Sequence, residues 1–290
     1  MMPKKNKKKF KFINLKNMDI LIVTYNRINT QITYQSLPLK WQKKVIFVIR
    51  PIEVELFKQK YPENKLLILS ESLPKGLGPT RQFVYDYYHK QKMKVITFDD
   101  DLNFIYKYYI EENDKIKWKS RPFTDQDFDN MFEDIEKELD TTFHGSLGCM
   151  STMPNQKSYP KDYCGRGMTN LFYNTAKLPA DIDFTRCSAA EDFDSTLQLL
   201  TKGFKNVIYG NYKVTEKAYA AGGCTSTRTV ETHNESQKLL QTLFPNYVKV
   251  KEKVVKSGPW KGQTKLNVLI QWKKAYKDSL KKLTINKTQQ

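Results

Sequence analysis

The most informative stretch of this 290-residue chain reads Val95-Ile96-Thr97-Phe98-Asp99-Asp100-Asp101. Its first half is an apolar run, typical of a strand that is buried on both faces of a sheet. Three carboxylates follow at the end of this strand, where they repel one another and lose hydration water. A divalent cation would remove that cost, and carboxylate oxygens suit Mg²⁺ or Mn²⁺. A solvated acidic turn is the alternative explanation of the same residues.

Three other apolar runs precede this stretch, at residues 19–24, 45–50 and 66–69. A helix is expected at residues 79–90, because Pro79 fits the first position of a helix. Strands that alternate with helices are typical of α/β proteins. We therefore expect a Rossmann-like α/β fold with a mostly parallel sheet that is flanked by helices.

Two more helices are predicted farther along the chain. The first covers residues 124–139, with Thr124 and Asp127 as a capping pair. The second begins near Ser188 and carries a regular apolar face. Because Ser188 and Glu191 match the capping-box pattern, Glu191 has a structural explanation beside any chemical one.

Positive charge is concentrated at the two ends of the chain. The formal net charge is +18; residues 1–17 carry seven lysines and no acid, and residues 247–290 carry twelve lysines against Glu252 and Asp278. The part between these ends is nearly neutral. Basic extensions of this kind indicate an anionic partner, although lysine-rich ends also increase solubility.

This charge distribution predicts a basic N-terminal arm at residues 1–17, a main domain at residues 18–245 and a basic C-terminal segment at residues 246–290. We expect the C-terminal segment to be helical, because one set of its apolar residues can form a single helical face. The residues of that face are Leu266, Leu269, Ile270, Tyr276 and Leu280.

The cysteines and the hydropathy limit the cellular environment. The four cysteines include no Cys-x-x-Cys pair, so we expect reduced thiols and neither a structural zinc site nor a disulfide framework. No apolar run reaches the roughly 18 residues of a membrane span, and no apolar signal region follows the N-terminal lysines. We therefore expect no transmembrane segment and a cytoplasmic location.

Polar residues follow the first predicted strand and a later glycine turn. In an open α/β sheet, ligands bind beyond the carboxyl ends of the strands. Thr24, Tyr25 and Arg27 are therefore expected to contact a nucleotide. The turn at residues 76–81 opens a helix, so its backbone N–H groups and the Arg81 side chain are expected to face phosphate.

The order of four elements along the chain resembles A-type nucleotide-diphosphosugar glycosyltransferases, abbreviated GT-A, over roughly residues 18–235. These elements are residues 24–27, the turn at residues 76–81, Phe98-Asp99-Asp100-Asp101 and Ala190-Glu191-Asp192-Phe193-Asp194. The resemblance implies a GT-A fold, sugar transfer from a nucleotide donor and a catalytic domain at residues 18–245.

The same resemblance implies a metal and donor site. Asp99 and Asp101 correspond to the Asp-x-Asp element that contacts the donor ribose and the Mn²⁺ or Mg²⁺ ion, with Asp101 as the direct metal ligand. Asp100 is expected beside the nucleotide sugar. A late histidine often completes the metal shell in this family, and His233 is the matching candidate here.

The resemblance also implies a catalytic pair. An acceptor oxygen loses its proton as it attacks the donor C1 atom, so a nearby carboxylate is the expected general base. The Glu-Asp element near a helix start supplies that carboxylate in the family. Asp192 is therefore the expected base, with Glu191 as the second catalytic candidate.

Two shorter segments narrow the resemblance to phage transferases, of the TET-associated type, that glycosylate 5-hydroxymethylpyrimidines in DNA. They are Gly76-Leu77-Gly78-Pro79-Thr80-Arg81-Gln82-Phe83 and Ala221-Gly222-Gly223-Cys224-Thr225. This resemblance implies a UDP-sugar donor and a duplex DNA acceptor. Basic extensions fit such an acceptor, because each phosphate that a lysine neutralises adds salt-dependent affinity.

Two alternative functions remain open from the sequence. In the first, the same chemistry acts on a lipid-linked or surface glycan while the basic C-terminal helix lies on an anionic membrane. In the second, the chain is a non-catalytic DNA-binding protein that retains a transferase scaffold. The electrostatic cost of three adjacent carboxylates argues against the second alternative.

Overall fold

The computed structural model of the chain describes residues 18–151, 159–216 and 229–288. The basic arm predicted at residues 1–17 lies outside them, and so do Cys224 and the motif at residues 221–225. Within the described residues, Cys149, Cys164 and Cys187 are buried free cysteines.

Most strands of the described residues belong to one large mixed sheet. The strands are β1 (Met18–Val23), β2 (Val45–Ile49), β3 (Lys65–Ile68), β4 (Lys94–Asp99), β5 (Leu102–Glu112), β6 (Lys115–Pro122), β7 (His144–Cys149), β8 (Lys161–Tyr163), β9 (Leu171–Asn174), β10 (Asn206–Glu216), β11 (Val248–Val254) and β12 (Thr264–Ile270). The large sheet has the order β3-β2-β1-β4-β9-β7-β10-β5-β6, with β8 paired to β10. β11 and β12 form a separate hairpin.

The first four strands form a parallel unit. β1 pairs in parallel with β2 and with β4, and β2 pairs in parallel with β3. The four predicted strands and the α/β fold are therefore confirmed. β9 is inserted antiparallel between β4 and β7, and β7 pairs in parallel with β10. The carboxyl ends of β1, β4, β7 and β10 consequently share one edge of the sheet.

Helices cover both faces of this sheet. They are α1 (Ile32–Ser36), α2 (Leu39–Gln42), α3 (Val54–Lys60), α4 (Leu77–Gln91), α5 (Asp125–Glu138), α6 (Glu191–Thr201), α7 (Val230–Leu243) and α8 (Trp272–Thr288). No helix in the described part of the chain is long and apolar enough to cross a lipid bilayer.

The predicted helix ends are right for one helix and wrong for another. Thr124 and Asp127 form the expected reciprocal capping box at the start of α5. The capping box predicted for α6 is wrong, because Ala190 is the N-cap residue and makes no side-chain capping bond. The Ser188 hydroxyl instead lies 3.2 Å from the hydroxyl of Ser236 in α7. The Glu191 side chain is therefore available for a different partner.

Apolar side chains of the parallel unit alternate between the two faces of the sheet. In β1, Ile20 and Ile22 belong to the core beneath α2, α3 and α5, whereas Leu21 belongs to the core beneath α4 and α6. In β4, Phe98 belongs to the first of these cores and Val95 to the second. Both faces are buried, which explains why these strands are continuously apolar in sequence.

The prediction of a helical C-terminal segment is wrong for its first half. Three of the five residues expected on one helical face lie in β12, and only two lie in α8. β11 reads Val-Lys-Val-Lys-Glu-Lys-Val, a period of two that is typical of a strand. Val248 of β11 and Ala275 of α8 are buried in one cluster with Leu240 of α7 and Leu197 of α6. The segment thus shares a core with the main domain.

His144 of β7 gives the fold a pH-dependent element. Its ring is 3% exposed, and Nε2 lies 3.1 Å from the Phe204 carbonyl oxygen. Burial lowers the pKa of His144 to about 4, although the hydrogen bond opposes this shift. The unfolded chain binds this proton near pH 6.5, so the stability from a neutral His144 is complete above pH 6.5 and is lost as the pH falls towards 4.

We predict that protonation of this one group removes roughly 3 kcal/mol of unfolding free energy between pH 6.5 and pH 4. In His144→Gln, which keeps a donor for the Phe204 carbonyl but does not titrate, the unfolding free energy should depend less steeply on pH. Urea unfolding at a series of pH values measures both slopes. Identical slopes for the two proteins would contradict this assignment.

Candidate active site

Side chains from distant parts of the sequence meet at the shared edge of the sheet. Val23, the last residue of β1, is paired with Asp99, the last residue of β4, so the loops after these strands are neighbours. At the ends of β7 and β10, the Cys149 sulfur lies 3.9 Å from a Glu216 carboxylate oxygen. This edge is where the sequence predicted the ligand site.

Arg27 joins the loop after β1 to the loop after β4. Its Nη1 atom donates to Asp100 Oδ1 at 2.6 Å and to Asp101 Oδ2 at 2.9 Å. The Thr24 hydroxyl donates to the other Asp100 oxygen at 2.6 Å. Burial raises the pKa of Asp100, while Thr24 and Arg27 oppose that rise. Thr24, Arg27 and Asp100 therefore lock two loops together. The nucleotide contacts expected of them stay a prediction.

Contacts to the backbone reinforce this junction. The Thr33 hydroxyl of α1 donates to the Asp99 carbonyl at 2.5 Å, and the Thr33 N–H donates to the Asp100 carbonyl at 3.1 Å. In the loop after β1, Asn26 has a left-handed φ of 56° and donates its N–H to the buried Glu53 carboxylate at 2.8 Å. These bonds fix the path of both loops.

Arg81 connects α4 to the two acidic motifs. Its Nη1 donates to Glu191 Oε1 at 2.9 Å, and its Nη2 lies 3.5 Å from Asp99 Oδ1. Burial opposes the charge on Arg81, but the carboxylates of Glu191, Asp99 and Asp192 outweigh it and raise the pKa of the guanidinium. Arg81 is only 5% exposed. It therefore does not lie open to phosphate as expected, and Glu191 acts as its buried counterion.

Asp192 lies in the first turn of α6 and is partly exposed. Its carboxylate interacts electrostatically with Arg81 and with Arg166. The Arg166 guanidinium lies 4.4 Å from the ring centroid of Phe193, the next residue in α6. Burial lowers the pKa of Arg166, and the negative charge of Asp192 opposes that shift. Two cations thus flank the carboxylate that is expected to act as the general base.

Asp99 and Asp101 form the carboxylate pair suited to a cation. Burial raises the pKa of Asp99 to about 8; Arg81 opposes this rise and Asp101 adds to it. A carboxylate that is costly to ionise on its own fits a divalent cation, which commonly takes one or two protein carboxylates and completes its shell with water and diphosphate. In the described residues, no three His, Cys, Asp or Glu side chains are grouped around one point. The donor set that remains is therefore two carboxylates.

The two remaining predicted site residues are His233 and Tyr25. His233 lies in α7, with Nε2 at 2.9 Å from the Leu266 carbonyl oxygen of β12 and its ring 5.8 Å from the Trp260 ring. Coordination through Nε2 would break that hydrogen bond, so a metal-binding role would require Nδ1. Tyr25 is partly exposed in the loop after β1.

Sequence reasoning missed two charged residues at this edge. Arg166 lies in a loop between Gly165 and Gly167, in a region that reads as loops, but its place beside Asp192 follows only from the insertion of β9. Glu53 follows β2 and binds the Asn26 N–H, a contact between residues 27 positions apart. No local pattern indicates such a pairing.

Comparison with known proteins identifies the family. A sequence model described as TET-Associated Glycosyltransferase matches residues 18–223 of the chain. The chain belongs to this family. The resemblance to GT-A enzymes and to the TET-associated phage transferases is confirmed, and so is the expected enzyme class, a glycosyltransferase.

Two curated phage proteins resemble this glycosyltransferase over most of their length, and both are named Beta-glucosyl-HMC-alpha-glucosyl-transferase. The protein of Enterobacteria phage T6 is 23% identical over 240 residues, which cover 81% of this chain and 84% of the phage protein. The protein of Enterobacteria phage T2 is 22% identical over 240 residues, which again cover 81% of this chain and 84% of the phage protein. Among solved structures, S. aureus TarS is 15% identical with a TM-score of 0.43, over 79% of this chain and 40% of TarS.

The two neighbouring aspartates Asp100 and Asp101 should respond differently to removal of their charge. Asp100→Asn removes the carboxylate nearest to the buried Arg27 guanidinium and should cost about 3 kcal/mol of unfolding free energy. Asp101→Asn keeps the Arg27–Asp100 pair and should cost clearly less. Urea unfolding compares the two variants, and equal losses would refute the division of roles between these residues.

Proposed function

We propose that this glycosyltransferase moves a sugar from a UDP-sugar to a hydroxymethylated pyrimidine of duplex DNA, or to a sugar that this base already carries, with the help of Mn²⁺ or Mg²⁺. One observation carries the proposal. The buried Arg81 guanidinium contacts both the strand-end acid Asp99 and Glu191 at the start of α6. The elements expected to hold donor and acceptor are therefore adjacent.

The donor side of the proposal rests on Asp99 and Asp101. These carboxylates would hold the cation, with Asp101 as the direct ligand. When bound, the cation supplies positive charge that neutralises the leaving diphosphate. The loop after β1, which Arg27 and Glu53 hold rigidly, offers Tyr25 as a contact for the nucleotide.

The acceptor side rests on Asp192. In the proposed reaction the acceptor oxygen bonds to the sugar C1 atom, its proton passes to the Asp192 carboxylate, and the bond from C1 to the diphosphate oxygen breaks. Glu191 is a positioning residue, because its ion pair with Arg81 fixes the first turn of α6. The neighbouring Arg166 adds a fixed positive charge next to the base.

The phage relatives support the choice of acceptor. Their name describes α-glucosyl transfer to β-glucosyl-HMC, which is a sugar already attached to the modified base. The basic ends of the present chain suit a polyanionic acceptor of this kind. The membrane alternative expected a basic amphipathic helix in the C-terminal segment, and only the second half of that segment, α8, is helical.

We predict that the protein, given Mn²⁺ and a panel of UDP-sugars, adds one sugar to duplexes that contain 5-hydroxymethylcytosine or β-glucosyl-5-hydroxymethylcytosine. A duplex of the same sequence with unmodified cytosine should gain no mass. Mass analysis of the digested nucleosides identifies both the acceptor and the sugar. No added mass on any duplex with any donor would refute the proposed function.

Asp101→Ala should abolish the added mass, because the metal and the leaving diphosphate lose their ligand. Binding to the duplex should persist, because Asp101 is not expected to contact DNA. Chelation of the metal should have the same effect as the substitution, and added Mn²⁺ should reverse chelation only. An Asp101→Ala protein that still transfers sugar would contradict the metal assignment.

Asp192→Asn should lower kcat by roughly 10²–10⁴-fold, the usual contribution of a general base. Asp192→Glu retains a carboxylate and should lose less activity. Both variants should unfold at nearly the wild-type temperature, because Asp192 is partly exposed and lacks the buried ion pair of Glu191. Wild-type kcat in Asp192→Asn would assign the base to another group.

A further inference from the structure

The C-terminal hairpin has one apolar face and one lysine face. Along β11, Val248 and Val250 alternate with Lys249, Lys251 and Lys253. Val248 is fully buried in the cluster that includes residues of α6, α7 and α8, whereas the three lysines are exposed. The hairpin therefore packs Val248 on the protein and presents these three lysines to solvent.

No acid lies opposite these lysines in the described hairpin. The register pairs Lys249 with Leu269, Lys251 with Asn267 and Lys253 with Lys265. Two lysines directly opposite each other destabilise a hairpin. Glu252 does not relieve this repulsion, because it pairs with Leu266 on the other face. The lysine face, defined as Lys249, Lys251 and Lys253, thus concentrates three exposed positive charges with no acid opposite them in the described hairpin.

A second hairpin of the same molecule carries a similar row of lysines, but with an acid beside it. In β6, Lys115, Lys117 and Lys119 have the same alternate spacing and are exposed. There, Glu112 of β5 is paired with Lys115 and forms a 2.7 Å ion pair with Lys117. The lysine face of the C-terminal hairpin has no such acid opposite it.

We propose that the lysine face binds the phosphate backbone of the acceptor DNA. Alternate residues of a strand are about 7 Å apart, so the lysines form a straight row of evenly spaced cations. The phosphates of a DNA strand are likewise a regular row of anions, with one charge for about every 3.4 Å of rise along each strand. A linear polyanion matches such a row. This inference rests on the proposed DNA acceptor.

The hairpin is also joined to the helix that carries the candidate base. Trp272 follows β12 by two positions, and its ring lies 5.8 Å from the ring of Phe193, the neighbour of Asp192. An open cleft of about 480 Å³ separates the start of α8 from the segment that carries Arg166. Lys273 and Lys274 also line this cleft. A strand held on the lysine face would therefore be anchored to the same unit as Asp192.

The experiment compares two variants of the full chain that lose the same charge. One variant combines Lys249→Gln, Lys251→Gln and Lys253→Gln; the matched control combines Lys115→Gln, Lys117→Gln and Lys119→Gln. Fluorescence anisotropy measures the Kd for a duplex at several salt concentrations. Loss of three phosphate contacts should reduce the slope of log K against log salt by about 3. The control should keep the wild-type slope, and so should Lys249→Arg combined with Lys251→Arg and Lys253→Arg.

The unfolding temperature of both glutamine variants is measured as a control, and a value equal to that of the wild type would show that they are folded. Equal slopes for the hairpin variant and the wild type, or equal losses in both glutamine variants, would overturn the inference. It would also be overturned if the hairpin variant lost binding to phosphatidylserine vesicles but kept its DNA slope.

Sugar transfer is measured separately. If the hairpin variant has a reduced slope but the wild type transfers no sugar, the lysine face is supported and the proposed function is refuted. If the wild type transfers sugar but the hairpin variant keeps the wild-type slope, the proposed function is supported and the lysine face is refuted.

Discussion

One buried guanidinium determines the geometry of the site. Arg81 comes from α4, and its partners Asp99 and Glu191 come from the ends of two motifs that lie far apart in sequence. Breaking a buried ion pair leaves an uncompensated charge and costs several kcal/mol. The helix with the candidate base is therefore held against the strand with the acidic cluster. Sugar transfer needs this rigidity, because the reacting groups must stay aligned to within about an ångström.

The three consecutive aspartates have different roles because their surroundings differ. Asp100 has both carboxylate oxygens bonded, to Thr24 and Arg27, and its charge is neutralised inside the protein. Asp101 accepts a hydrogen bond from Arg27 through one oxygen, and Asp99 has a longer contact, 3.5 Å, with Arg81. A neutralised anchor thus lies between two acids that keep capacity for a cation. Full compensation of the middle charge lowers the repulsion within the cluster, and Arg27 and Arg81 reduce it further at the two flanking acids.

The sequence predicts the parts of the fold whose patterns are local. The four apolar strands and the helices α4 and α5 follow from periodicity and capping, and the acidic cluster follows from its place at a strand end. The β5–β6 hairpin was missed although Asn113 and Asp114, both with positive φ, form a two-residue turn that favours hairpins. The C-terminal hairpin was misread because the apolar residues of β12 also fit a helical face.

The candidate site was predicted in outline and not in its internal contacts. Its acidic residues were identified because carboxylates at a strand end are costly without a partner. Their bonding partners depend on which strands are neighbours, and that order cannot be read from one sequence. Arg27 and Arg81 were therefore expected to contact the donor, whereas both are bonded to protein carboxylates. Arg166 became visible only once β9 was seen between β4 and β7.

The antiparallel insertion of β9 separates two kinds of specificity. The strands β1 to β4 carry the residues proposed to hold the donor, whereas the loop that leads into β9 carries Arg166 to the side of Asp192. Loops accept changes of length and sequence at small thermodynamic cost. Exchange of this loop can therefore alter the acceptor side of the proposed site while the strands of its proposed donor side stay the same.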